Sequence, residues 1–242
     1  MKIKTPLLFL VILFTSFITD FRSEQKAFPR VREAYQVKES VVKKKFTELG
    51  LTYTTCAVFL RVFKKEEEME LWVKKTDGTY VLYKTFSICS MSGDLGPKRK
   101  QGDHQVPEGF YYIDRFNPSS SFHLSLGINY PNASDRILSN KAAPGGDIFI
   151  HGSCVSIGCM AMTDEVIKEI YVMAVEAKSN GQSKIPVHIF PFKMNAENTA
   201  KYFAQQPELK NFWMNIGKGY DSFEKNKRLS AFTVNEKGEY VW

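Results

Sequence analysis

The 242-residue sequence lacks most of the features that would assign it to a class at once. Beyond its first twenty residues no window stays apolar for the 18 or so residues that a membrane helix needs, so the body is expected to be a water-soluble fold. Cysteine and histidine are scarce, with four of each, and no C-x2-C pair is present to signal a zinc ribbon or finger. There is no internal repeat and no low-complexity tract, which sets aside solenoids and disordered arrays. No stretch alternates aromatic and basic residues as a single-strand nucleic-acid platform does, so no nucleic-acid partner is expected.

What is present is ordinary for one globular domain with trimmings: 43% hydrophobic, 14% aromatic and 24% charged residues. The 33 Lys and Arg against 26 Asp and Glu leave a net charge of +7, which favours acidic partners such as anionic envelope polymers without choosing among them. The densest basic run, Lys43-Lys44-Lys45, lies among helix-forming residues and reads as a solvated helix face.

The amino terminus speaks to compartment. Lys2 and Lys4 precede an apolar run from Leu7 to Ile18 that Asp20 and Arg22 end, the layout of a signal peptide or an uncleaved anchor over residues 1–20. No Cys lies near this segment, which argues against a lipoprotein anchor. An exported protein in the periplasm or cell envelope is expected, in contact with the membrane only through this segment. In an oxidising compartment Cys56, Cys89, Cys154 and Cys159 allow three disulfide pairings, and a working nucleophile among them must stay reduced.

Residues 21–50 carry a weak helical pattern ending at Gly50 and form a helical lead-in. From Leu51 the texture turns to β-branched and aromatic runs, Thr54 to Phe63, Met69 to Lys75 and Tyr80 to Ile88, with an Asp77-Gly78 tight turn between the last two. This predicts consecutive antiparallel strands. Ser92 to Gly109 reads as a long surface loop. Short strands are expected at Phe110 to Asp114, Phe122 to Ile128 and Asp147 to His151. A helix capped by Thr163 runs to Asn180-Gly181, and a strand follows at Pro186 to Phe190. Residues 193–242 supply a helix at Ala196 to Gln205, an aromatic segment at Phe212 to Phe223 and a hairpin closing at Lys237-Gly238. The expected fold is mainly β with packed helices, an α+β domain whose sheet is closed or sandwich-like, with 51–192 as its body and 193–242 as an extension of it.

The informative stretch runs from Asp147 to Asp164. A strand delivers His151 to a glycine-bearing loop, and the loop delivers Cys159 shortly before a helix. A free thiol is only a few per cent ionised at neutral pH, so a cysteine nucleophile needs an imidazole or a helix amino terminus beside it. Gly152 and Gly158 allow the chain to fold back and leave amide N–H groups for an oxyanion. On spacing alone two other readings stand, a buried structural Cys beside a core His and a zinc site using His151, Cys154 and Cys159 with His104, His123 or His188.

The run Ile150-His151-Gly152 followed by Ser156-Ile157-Gly158-Cys159 resembles the catalytic signature of the L,D-transpeptidase (YkuD) family. Further resemblance to its YafK-like branch lies at Gly102-Asp103 with Val106-Pro107-Glu108-Gly109-Phe110-Tyr111, at Leu124-Ser125-Leu126-Gly127-Ile128-Asn129-Tyr130-Pro131-Asn132, at Met162-Thr163-Asp164 and at Val187-His188-Ile189-Phe190-Pro191-Phe192. The resemblance implies a β-rich catalytic domain in which Cys159 is the nucleophile, His151 the general acid and base, and the Gly158 and Cys159 amides part of the oxyanion hole. It implies peptidoglycan stem peptides as substrate, a thioester intermediate, no cofactor and no metal. The outcome is cross-linking, attachment of an envelope protein, or hydrolysis, since the branch includes members that detach proteins bound to the wall at diaminopimelate. Ser156, His123, Asn129 and Tyr130 make up the expected substrate-contacting set. Many family members carry a His before the Gly-Cys and an Arg soon after it; this chain has Ile157 there and Met160, Ala161 and Met162 after the Cys. His188 reads as a sheet residue, His104 as an exposed loop residue, Cys154 as a packing residue or a partner of Cys159, and Cys56 and Cys89 as buried small hydrophobes.

Overall fold

The computed structural model describes residues 20–242, so the segment read as an export signal or anchor lies outside the described residues. No helix among the described residues is long and apolar enough to cross a membrane. The chain begins with α1 (Phe21–Lys26) and α2 (Pro29–Glu48), the latter started by a proline at its first turn and closed before Gly50 at φ 65°. Strands β1 (Val58–Phe63), β2 (Glu68–Lys74) and β3 (Tyr80–Ser87) follow as an antiparallel meander. After a long loop come β4 (Gly109–Asn117), β5 (Ser125–Ile128), the short α3 (Ala133–Leu138), β6 (Phe149–His151) and β7 (Met160–Ala161). Then come α4 (Asp164–Ser179), β8 (Ile185–Phe190), α5 (Ala196–Gln205), α6 (Lys210–Asn226) and a terminal hairpin of β9 (Thr233–Val234) and β10 (Tyr240–Val241).

The first eight strands form one sheet in the order β3-β2-β1-β8-β4-β5-β6-β7, antiparallel except for β1 with β8 and β6 with β7. The sheet curls until its ends meet. Ser90, just past β3, bridges Ala161 of β7 through Ser90 N to Ala161 O at 3.1 Å and Ala161 N to Ser90 O at 3.0 Å. The expected closure is therefore found in a single curled sheet, and the sandwich alternative is corrected.

Both faces of the central strands are covered, which explains why β1 is buried at every position and apolar at all but Arg61, whose charge is held by Glu70 and Glu224. One face of β1, Val58, Leu60 and Val62, joins Val187 and Ile189 of β8 in the main core under α1, α2 and α4. The other face, with Phe63, Phe110 and Phe190, packs under α5, α6 and the hairpin around Trp213. The lead-in is part of this structure, since Val31, Ala34, Val42 and Phe46 are buried in the main core. Arg22 Nε and Tyr35 Oη both donate to Glu176 Oε1 of α4 at 2.6 Å, each neutralising or satisfying a carboxylate that burial would otherwise penalise.

Two expectations need correcting. The stretch from Ser92 to Gly109 is not surface loop throughout, because Val106 and Glu108 are fully buried. Glu108 accepts from Lys64 Nζ at 3.0 Å, Gly96 N at 2.7 Å and Trp213 Nε1 at 2.8 Å, so it anchors the loop to the core. The strand expected from Phe122 begins only at Ser125, and His123 stands in a turn at φ 66°.

Candidate active site

His151 ends β6 and Cys159 immediately precedes β7, and the parallel pairing of His151 with Ala161 brings the two chain segments side by side. Both residues line one open cavity of about 520 Å³, whose wall is mostly apolar through Phe122, Phe149, Val155 and Ile157. The intervening loop is fixed at several points. Gly152 N donates to Phe122 O at 3.0 Å, Ser153 N to Asp164 Oδ1 at 2.8 Å and Cys154 N to Met162 O at 3.2 Å. Ser153 and Cys154 take positive φ values of 68° and 51°. Gly152 is required by crowding, since a Cβ there would lie 2.5 Å from Asp164 Oδ1. Gly158 is required by its φ of 127°.

A disulfide joins Cys89 to Cys154. It ties this loop to the segment after β3, beside the Ser90–Ala161 bridge. Cys89 is exposed and bridged, not a buried hydrophobe, and Cys154 is neither a packing residue nor a partner of Cys159. Its sulfur is thereby unavailable as a metal-binding thiolate, which removes the zinc reading built on His151, Cys154 and Cys159. Cys56 is free and buried as expected, its thiol pushed up to about 12 chiefly by burial.

The tautomer of His151 follows from its contacts. Its Nδ1 lies 2.6 Å from Gly152 O, and a carbonyl only accepts, so Nδ1 carries the proton and Nε2 is the basic nitrogen. Burial lowers the imidazole below its ordinary value despite that bond, so the ring is neutral at neutral pH. The Cys159 Sγ–H points to Asp147 O at 3.7 Å. Burial raises the thiol above its ordinary value, so the resting pair is a neutral thiol and a neutral imidazole. Cys159 lies shortly before the Thr163-capped helix, as the sequence suggested, but not at its amino terminus. The strand β7 intervenes, and the first turn of α4 instead holds Ser153 through Asp164.

Ser156 shapes the loop, its hydroxyl accepting from Gly158 N at 3.2 Å and Cys159 N at 2.9 Å and donating to Cys159 O at 2.7 Å. The two amides expected to serve an oxyanion are therefore engaged by Ser156 in this state. His123 does not line the cavity. It lies beside Gly152, with Nδ1 3.9 Å from Asp164 Oδ2 and Nε2 buried without a hydrogen-bond partner, and burial lowers its pKa. Asn129 and Tyr130 are also elsewhere. Asn129 Oδ1 accepts from Tyr112 N at 2.7 Å, while buried Tyr130 donates to Pro144 O at 2.9 Å, so both hold the chain beyond β5. His188 lies on the far face, 4.6 Å from the rings of Phe59 and of Phe110, and is held neutral by burial and then by the Arg61 charge. His104 is exposed and passes Gly158 with its main chain.

Sequence reading missed Phe122, whose ring centre lies 4.9 Å from that of His151, and the carboxylate of Asp147 at the cavity mouth. It also missed Arg115, which reaches Asp147 Oδ1 at 2.8 Å. Gly127, alone inside a strand, was the available signal of a close approach at that place.

Among solved structures the chain is similar to the helical cell shape determining protein Pgp2 of Campylobacter jejuni in its K307A form, at TM-score 0.46 and 20% identity over 75% of this chain and 67% of that one. It is similar to Bd1075 of Bdellovibrio bacteriovorus at TM-score 0.41 and 19% identity over 68% and 58%. In sequence it is 38% identical over 186 residues to the protein of Escherichia coli K12 named "Putative L,D-transpeptidase YafK", covering 76% of this chain and 73% of that protein. The model of the L,D-transpeptidase catalytic domain matches residues 59–189, a span that opens in β1, closes in β8 and encloses both His151 and Cys159; the chain belongs to the L,D-transpeptidase (YkuD) family.

Proposed function

We propose that the protein is an exported cysteine enzyme that transfers the acyl group of a peptidoglycan stem peptide through a thioester on Cys159. The observation that carries this reading is the convergence of Cys159 and His151 on one cavity, with the imidazole held in the tautomer that leaves Nε2 basic. Family membership supports peptidoglycan as the substrate and the cell envelope as the place of action.

In the proposed reaction His151 Nε2 takes the Cys159 proton as sulfur attacks the amide carbonyl. The tetrahedral oxyanion draws the Gly158 and Cys159 amides away from the Ser156 hydroxyl, because an N–H bond to an anion outcompetes one to a neutral oxygen. His151 then returns the proton to the departing amine, which leaves a thioester. An incoming amine completes a cross-link or a protein attachment; water completes hydrolysis. The same acyl-enzyme serves both outcomes.

The test is intact-mass spectrometry of the protein incubated with purified muropeptides, either plain tetrapeptide stems or stems bearing a Lys-linked peptide, beside a Cys159→Ala control. An adduct lost in the control is expected, and the released product distinguishes joining from cutting. Absence of adduct and turnover on both stems would replace the enzyme with a wall-binding module.

A further inference from the structure

Arg30 stands in the first turn of α2, directly after Pro29, and its neighbours Val31 and Ala34 are fully buried in the main core. That burial fixes the helix end, while Arg30 itself stays at the surface. Its Nη1 carries two hydrogens and donates to Ser120 O at 2.5 Å and to His123 O at 2.7 Å. One cation thus spans the turn that joins β4 to β5.

That turn has little else to fix its shape. His123 is held at φ 66°, a left-handed conformation that costs a residue with a Cβ, and Phe122 is 45% exposed, so burial alone does not place its ring. Yet the turn reaches His151 by two routes. The Phe122 ring centre lies 4.9 Å from that of His151. Phe122 O also accepts from Gly152 N at 3.0 Å, and Gly152 O accepts from His151 Nδ1 at 2.6 Å. A guanidinium on the lead-in helix is therefore linked, through the turn and the Gly152 peptide, to the nitrogen that sets the His151 tautomer.

We propose that Arg30 is a positioning residue for the reaction at Cys159, clipping the Ser120–His123 turn so that Phe122 and Gly152 hold the His151 imidazole in its resting orientation and tautomer. The proposal rests on the acyl-transfer reading and gives the helical lead-in, which precedes the matched span of residues 59–189, a part in that reaction. Arg30 does not line the cavity, so its effect passes through the turn. Charged donors make the stronger hydrogen bonds to carbonyls, which suits one side chain to holding two of them. Without the clip, water reaches the imidazole face that Phe122 covers. Burial is the main influence holding His151 below its ordinary value, so hydration raises it. The other titratable groups nearby are Cys159 and Asp147 on the cavity and, around His123, Glu33 of α2 with Asp164 and Lys168 of α4.

Two readouts test this: the rate of Cys159 adduct formation on a tetrapeptide stem, and the titration of the His151 imidazole followed by NMR in the resting protein with no stem present. Arg30→Gln is expected to slow the adduct by about tenfold or more, the scale of a small misplacement, with the half-saturating stem concentration little changed. It should also raise the His151 midpoint toward the ordinary value of 6.5. Arg30→Lys, whose ammonium still donates to carbonyls, should recover most of both. Phe122→Ala should raise the midpoint with no change of charge, and adding Arg30→Gln to it should move the midpoint little further. Arg32→Gln is the structural control. Arg32 makes like bonds from Nη1 to Lys26 O and Ala27 O within the lead-in, so its loss should leave both readouts at the wild-type level. An unmoved rate and midpoint in Arg30→Gln, or equal changes in Arg32→Gln, would overturn the clip. Absence of adduct in the wild type, with the midpoint still moving in Arg30→Gln, would overturn the acyl-transfer reading and leave the hold on His151 standing.

Discussion

The two sides of this molecule are held by different means. On the face under α5 and α6, Trp213, Phe63, Phe190 and Phe192 are fully buried, and Phe192 stacks on Tyr202 with ring centres 4.5 Å apart. Stability there is spread over many contacts, each small. At the cavity the loop from Gly152 to Cys159 leaves Val155 55% and Ile157 81% exposed, and its shape depends on a few hydrogen bonds, two left-handed residues and one disulfide. A packed region spreads the cost of a lesion over the whole fold, whereas a pinned loop turns it into misplacement of the His151 and Cys159 side chains.

Three experiments sharpen or break that contrast. The largest expected effect is on stability from Trp213→Ala, about 3–5 kcal/mol, because a buried indole leaves a cavity and Glu108 loses the donor at 2.8 Å. Denaturant unfolding should show this loss while the fraction that remains folded forms the Cys159 adduct at nearly the wild-type rate. A parallel collapse of that rate would mean the two sides are not separable.

Next, joint replacement Cys89→Ala and Cys154→Ala opens a cross-link spanning 65 residues and should cost about 2–4 kcal/mol. Here the adduct rate of folded protein should fall more than stability accounts for, since the loop between His151 and Cys159 loses its tether. An unchanged rate would show that the hydrogen bonds of Ser153, Cys154 and Ser156 suffice.

The smallest effect is in the pH profile. Only the neutral imidazole accepts a proton, so the rate should rise with pH as His151 is deprotonated, with a midpoint below its ordinary value of 6.5. It should then stay level through neutrality, because the thiol ionises above its ordinary value of 9.0. A bell with its maximum near neutrality would point instead to a thiolate–imidazolium pair and to a cavity more polar than its apolar wall implies.

Much of the architecture was legible because its signals are local. The Thr163 cap, whose hydroxyl accepts from Val166 N at 3.3 Å, the stop at Asn180-Gly181 and the helix from Ala196 to Gln205 all follow from side chains acting within a turn or two. Strands β1, β2 and β3 were found to within a few residues because their ends coincide with turn residues. β7 was not, since two residues carry no period; it exists only because β6 and Ser90 flank it. The candidate nucleophile and base were visible as a spacing and a resemblance. Asn129 and Tyr130 were drawn toward the site by lying in a matched motif, although their bonds to Tyr112 N and Pro144 O show them bracing the chain elsewhere. The Cys89–Cys154 pairing and the alignment of Arg115, Gly127 and Phe149 across β4, β5 and β6 were out of reach, because sheet closure and strand register bring together residues far apart in the chain.

The seam at Ala161 has a consequence for how the protein comes of age. β7 leans on one side on β6, a near neighbour in the chain, and on the other on Ser90, some seventy residues earlier. Such distant encounters come late, because the entropy of closing the long loop must be overcome first. Cys159 adjoins that strand, and the Cys89–Cys154 disulfide closes the same seam beside it. The final shape of the cavity thereby depends on closure of the whole sheet and not on its own loop alone.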